Sequence, residues 1–254
     1  AGVDPYELQL RRTVLWTGTM NQDETTKSLS DKVLDRGLVI YFPRPHTLIS
    51  RTTLKNLAVM IKDRQMLTES KWTGWIIRNL ITGIGANSPL LSELDEYRKI
   101  VENINDILEK VGRALGHRVW QSIMNYILNY PTVSEILRRC GQRDEKKHTW
   151  NFDSVEVTEE LKSNMRTAFE DQIVQKIMPK LRGIETRGKG RDHLQEIEDL
   201  LESKGFEKLK DDFEIACTQG YGQFIWSSAK YIETDDIKDD EHLNVASDAG
   251  SSEA

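Results

Sequence analysis

The chain has 254 residues, of which 38% are hydrophobic and 30% charged, enough apolar material to bury a sizeable core in one large or two small domains. Its net charge of -6 is concentrated at one end: residues 234–254 hold seven acidic side chains and one lysine, so the rest of the chain is formally neutral. A neutral body lacks the basic footprint of direct nucleic-acid binding, and the two cysteines, Cys140 and Cys217, have no Cys or His partner at metal-ligand spacing.

The chain has no run of eighteen apolar residues and no basic region followed by an apolar core at its N-terminus. This predicts neither a membrane span nor a secretory signal, and a reducing cytoplasm is the expected setting.

In chain order, residues 12–16 and the Leu38-Val39-Ile40-Tyr41-Phe42 run are rich in β-branched and aromatic side chains and read as two short buried strands. Between them, residues 25–36 place Leu29, Val33 and Leu34 at near-helical spacing, predicting a short helix, and Pro43 and Pro45 end the second strand. Residues 46–90 suggest two weaker helices, one with Leu54, Leu57 and Ile61 and one with Trp72, Trp75, Ile76 and Leu80. They are closed by the break Gly83-Ile84-Gly85-Ala86-Asn87-Ser88-Pro89.

Beyond that break Leu94, Tyr97, Val101, Ile104, Leu108, Val111 and Leu115 recur every three or four residues, which predicts one helix through Leu115. A second follows through Val119, Ile123, Ile127 and Leu128 and stops at Tyr130-Pro131. The polar stretch 141–153 reads as a loop. Thr158 opens a helix with Leu161, Met165, Phe169, Ile173 and Ile177 up to Pro179, and further helices are expected over 192–203 and 224–232. The acidic tail from Thr234 is expected to be disordered.

Four side chains are candidates for chemistry. Asn21 ends the first strand in Met20-Asn21-Gln22-Asp23, where a neutral amide can orient a water toward a phosphate and Asp23 can polarise it; the same pair also suits a simple Asx turn. Arg36, just before the second strand, has the fork that clamps phosphate oxygens, and it can equally pair with Asp35 or Asp31 at the surface. Arg118, in Gly116-His117-Arg118, stands at the start of a helix, a position suited either to sensing phosphates or to plain solvation; His117 reads as structural or exposed. The segment Met178-Pro179-Lys180-Leu181-Arg182-Gly183 puts cations at a helix C-terminus, which the helix dipole alone favours and which can also offer Lys180 and Arg182 to a partner subunit. Gly183-Ile184-Glu185-Thr186-Arg187-Gly188-Lys189-Gly190 mimics a phosphate loop but lacks the final hydroxyl and reads as a flexible basic loop. In Gly220-Tyr221-Gly222-Gln223-Phe224-Ile225-Trp226 the aromatics read as packing groups at a turn.

Taken in order, Thr17-Gly18-Thr19-Met20-Asn21-Gln22-Asp23-Glu24 and Leu29-Ser30-Asp31-Lys32-Val33-Leu34-Asp35-Arg36 resemble the C-terminal half of AAA+ ATPases of the McrB type, motor subunits of modification-dependent restriction systems. Leu115-Gly116-His117-Arg118-Val119 and the segment from Gln172 to Gly183 are similar to the helical lid of the same group. The resemblance spans about residues 10–232.

It implies an α/β remnant followed by a mostly α part: the sensor-1 strand, finger helix and last strand of the AAA+ core over 1–45, a connecting segment over 46–90, a helical lid subdomain over 91–233 and the tail over 234–254. It also implies that Asn21 is sensor 1, with Asp23 beside it in a signature one residue shorter than the family's, that Arg36 is the arginine finger, and that Arg118 is sensor 2. The nucleotide would be ATP or GTP with Mg²⁺, in a homo-oligomeric ring that drives DNA translocation indirectly through a partner nuclease. The phosphate loop and the acidic pair for Mg²⁺ are not in this sequence, so the chain is expected to be inactive alone. The reading of a different class is a non-enzymatic helical interaction module.

Overall fold

The computed structural model describes residues 16–20, 29–42, 68, 84–144, 149–228 and 231. The two weak helices expected within 46–90, the residues before Trp16 and the acidic tail lie outside them.

A single helical turn, α1 (Asp31–Leu34), is closed by the Ser30 carbonyl, which accepts from the amides of Val33 at 2.9 Å and Leu34 at 3.1 Å. Residues 38–42 follow. They were expected as a strand but join no ladder among the described residues, and their side chains alternate: Val39 and Tyr41 are half-buried while Leu38, Ile40 and Phe42 are exposed. That alternation is the period of a strand whose outer face lacks cover.

The main body begins with α2 (Pro89–Lys110), whose entry is set by Pro89 at its first position, and it buries Leu90, Leu94, Tyr97, Ile100, Val101, Ile104, Ile107 and Leu108 along one stripe. The expected helix through Leu115 is cut short here. Gly112 adopts φ 72°, and the amides of Gly112 and Arg113 return to the carbonyls of Glu109 and Leu108, each at 2.9 Å, closing a Schellman turn that only glycine adopts cheaply.

The next helix, α3 (His117–Asn129), buries Val119, Ile123, Ile127 and Leu128. Pro131, expected to be a stop, is instead the first residue of α4 (Pro131–Cys140), which buries Val133, Ile136 and Leu137. A proline ends one helix and starts another with equal ease, because its missing N–H is an orphan position of the new helix anyway. The stretch 141–153, expected as a loop, contains a two-stranded antiparallel hairpin, β1 (Gln142–Asp144) and β2 (Thr149–Asn151), with Arg143 opposite Trp150. Phe152, fully buried, follows it into the core.

The central element starts at Thr158, whose hydroxyl accepts from the Leu161 amide at 3.2 Å, with Glu159 and Glu160 in the first turn of α5 (Glu159–Gln172). It does not stop before Pro179. The helix widens into a π segment (Ile173–Ile177) and then runs on as α6 (Met178–Leu181). Pro179 cannot donate to the carbonyl four residues back and its ring crowds it, and a wider turn just upstream relieves both conflicts.

From Gln172 to Leu181 every residue except Gln175 is buried, so this stretch is the axis of the domain. Around it, α3 and α4 pack on α5, α2 packs on α7 (Gly188–Ser203), α7 on α8 (Glu207–Gln219), and α1 on α6. Residues 224–228, expected as part of a last helix, are irregular instead. Phe224 and Trp226 plug the core, and the 222–224 backbone pairs with 183–186.

Candidate functional site

The most unusual polar feature of the body lies where the central element meets the corner after α1. Lys176, in the π segment, and Lys180, one turn on, are each only 2% exposed. Ammonium groups cannot remain in such a place without partners. Both find them in the corner after α1, at Asp35 and Gly37. Lys176 Nζ donates to the carbonyls of Asp35 at 3.4 Å and Gly37 at 2.5 Å, and Lys180 Nζ lies 2.8 Å from the Asp35 carboxylate. Burial pulls the Lys176 ammonium below the usual lysine range, opposed by Asp35 and aided by the like charge of Lys180.

Arg36 sits between the two carbonyls that Lys176 holds. Its amide closes onto the Val33 carbonyl at 3.1 Å, its side chain is exposed, and no ion pair engages its guanidinium among the described residues. Asp35, which the sequence offers as a surface partner for Arg36, turns inward to Lys180 instead. The same contact places Lys180 out of reach of a partner subunit.

A second device holds the end of α6. Arg113, directly after the Schellman turn of α2, donates from one guanidinium nitrogen to the carbonyl of Lys180 at 2.7 Å and to that of Arg182. It thereby satisfies carbonyls that the helix end leaves open.

Of the other candidates, Asn21 and Asp23 lie outside the described residues. Arg118 is exposed in the first turn of α3, whereas Arg36 follows α1, which packs on α6. The look-alike phosphate loop is a packing device rather than a flexible loop: Gly188, Lys189 and Gly190 form the first turn of α7, and a Cβ on Gly190 would stand 2.3 Å from the Glu185 carbonyl oxygen.

Two carboxylates, half-buried Asp171 and buried Asp212, serve structure. Asp171 accepts from the hydroxyls of Tyr126 at 3.1 Å and of Tyr231, and Asp212 accepts the Tyr231 amide at 2.7 Å, tying Tyr231 to α5 and to α8. Cys217 is buried and its thiol is pushed up to about 11 by burial, which disfavours the reactive thiolate. Among the described residues no group of three His, Cys, Asp or Glu side chains is placed to hold a metal.

Sequence reasoning missed the lysine corner. The signal is present: two lysines four apart, Lys176 and Lys180, inside the apolar set Ile173, Val174, Ile177, Met178 and Leu181. Lysines on the buried face of an axial helix need a partner, but the sequence does not say which.

A protein-family model described as a domain of unknown function (DUF8727) matches residues 83–234, well over half of the chain. The chain belongs to this family. The matched domain takes in every element from α2 to α8, while the Met20 to Arg36 motifs precede it, so the lysine corner joins the family domain to the segment that carries Arg36. No curated protein and no solved structure matches the chain.

Proposed function

We propose that the chain is the rear part of a McrB-type AAA+ motor, with Arg36 as the finger that reaches the nucleotide of the next subunit in a ring. The observation that carries this reading is the treatment of residues 34–37: buried Lys176 holds the backbone on both sides of Arg36 and buried Lys180 pairs with the Asp35 carboxylate, while Arg36 itself is exposed and unpaired among the described residues. A group that must act in trans needs a free guanidinium on a fixed backbone, because a misplacement of about 1 Å at such a position costs about 100-fold in rate.

In this reading Asn21 orients the attacking water, Asp23 stands beside it, and Arg118 senses phosphate from the helical side. The nucleotide is ATP or GTP with Mg²⁺. In this reading the phosphate loop and the Mg²⁺ ligands come from another segment of the motor: Arg191, not a hydroxyl residue, follows Gly188-Lys189-Gly190, and among the described residues no group of three His, Cys, Asp or Glu side chains is placed to hold a metal. The assembled ring drives DNA translocation for a partner nuclease.

The test joins this chain to the missing nucleotide-binding half and measures turnover. Arg36→Ala should lower kcat by about 10³-fold or more. Mixed with subunits that lack the phosphate-loop lysine but keep Arg36, the variant should recover part of the turnover, because mixed interfaces then contain one intact site. Undiminished turnover in Arg36→Ala overturns the assignment.

A second reading, a non-enzymatic helical interaction module, draws support from the family match, which begins only after the motif segment. No phosphate loop in the coding region upstream would favour it.

A further inference from the structure

We infer that Lys176 and Lys180 are positioning residues for Arg36, through which the family domain fixes where that guanidinium stands. The inference deepens the motor reading and rests on it for its purpose, but its physical basis is the corner itself.

The first step is that α1 cannot hold its own C-terminal end. One turn of helix lies below the length at which a helix sustains itself, and beyond it the chain enters residues 38–42, which form no ladder among the described residues. What fixes the corner is the contact with the central element. Leu34 is buried, Lys176 binds the carbonyls before and after Arg36, and Lys180 takes the Asp35 carboxylate.

The second step is cost. An apolar side chain at 176 or 180 would fill the buried face of the central element without desolvating an ammonium, and buried ion pairs are often no better for stability than such a replacement. Two lysines at these places are therefore explained by what they hold rather than by stability.

The third step is that Lys176 lies inside the π segment while Lys180 lies beyond it. Converting a π turn to an α turn shifts the downstream helix by one residue, a rotation of about 100° between the groups on either side. Lys176 and Lys180 can grip the same corner only in one of the two registers. The π register of the central element is thus what lets both lysines reach the corner that carries Arg36.

Hydrogen exchange on the full chain tests this without any nucleotide. The peptide spanning residues 31–42 is compared in the wild type, in Lys176→Met, and in the double variant Asp35→Asn with Lys180→Met, which removes the pair without leaving a lone buried charge. Exchange over 31–42 should accelerate about tenfold or more in both variants while α5 and α7 stay protected. Unchanged exchange over 31–42 in the folded double variant overturns the inference whatever the turnover. If Lys176→Met does not fold, the double variant alone decides.

In the joined motor, Lys176→Met should lower kcat with KM nearly unchanged, and should cause no further loss in an Arg36→Ala background. Additive losses overturn the positioning role. Loss of protection over 31–42 together with turnover indifferent to Arg36→Ala upholds the grip on the corner and overturns the motor reading instead.

Discussion

The Lys180 ammonium lies 2.8 Å from the Asp35 carboxylate across a separation of 145 residues, with the lysine 2% and the aspartate 30% exposed. Breaking one side of such a pair is worse than removing both. Lys180→Met should destabilise the fold by about 1–3 kcal/mol, less than for a fully buried pair because Asp35 keeps some water, and adding Asp35→Asn should restore part of the loss. Urea denaturation of the two single variants and the double variant reads the coupling directly. Equal and additive losses would show that the pair contributes nothing.

Phe169 anchors the axis of the domain. It is fully buried, 4.7 Å from the Tyr97 ring and 5.7 Å from the Phe206 ring, centroid to centroid. Phe169→Ala should cost about 3–5 kcal/mol, whereas Phe169→Leu should cost much less, and the urea midpoint should move without a change in slope.

Thr158 caps α5 with its hydroxyl. Thr158→Ala should cost about 1 kcal/mol and Thr158→Ser almost nothing, as judged by thermal unfolding. A larger loss in the serine variant would mean that the methyl group, not the oxygen, matters there.

The Tyr126 phenol is pushed up to about 12, first by burial and then by the charge of Asp171, whose carboxylate it donates to. Its protonated form is thus favoured in the folded state relative to the unfolded chain, where it titrates near 10. The stability it contributes is complete below pH 10 and is lost as pH rises toward 12. Tyr126→Phe should therefore show a shallower fall in unfolding free energy than the wild type as pH rises from about 10 toward 12. Parallel curves would contradict the raised phenol.

The two cysteines should separate cleanly. Cys140 is exposed, and Cys217 is buried with its thiol raised to about 11. At pH 8 an alkylating reagent should modify Cys140 promptly and Cys217 only after denaturation. Two equally fast thiols would place the α8 face in solvent.

Helices with a sustained three-four stripe were legible in the sequence, as α2, α3 and α5 show. Their ends were less so. Val111 and Leu115 continue the stripe of α2, yet the backbone freedom of Gly112 outweighs two apolar positions. Pro131 and Pro179 carry the same local rule, but one starts a helix and the other is absorbed by a π segment, because packing around each decides how the missing donor is accommodated. The polar residues of β1 and β2 give no alternation to detect, and Phe224 and Trp226 show apolar character without a period, so a helix was expected where an irregular plug exists. At the candidate site the motif order pointed to Arg36, but the lysines that hold its corner, Lys176 on the backbone and Lys180 on the Asp35 carboxylate, are 140 and 144 positions away in sequence, and no local pattern announces a contact of that range. Asn21 and Asp23 lie outside the described residues.

The Schellman turn of α2 has an effect at a distance. Gly112 aims Arg113 at the carbonyl of Lys180, and Lys180 in turn grips Asp35, so a Cβ at position 112 would be felt three links away, beside Arg36. Substitutions along this chain of contacts should be epistatic: a change tolerated at one link in one sequence should be lethal in another whose next link differs, and functional drift in this corner should proceed by paired exchanges rather than single steps.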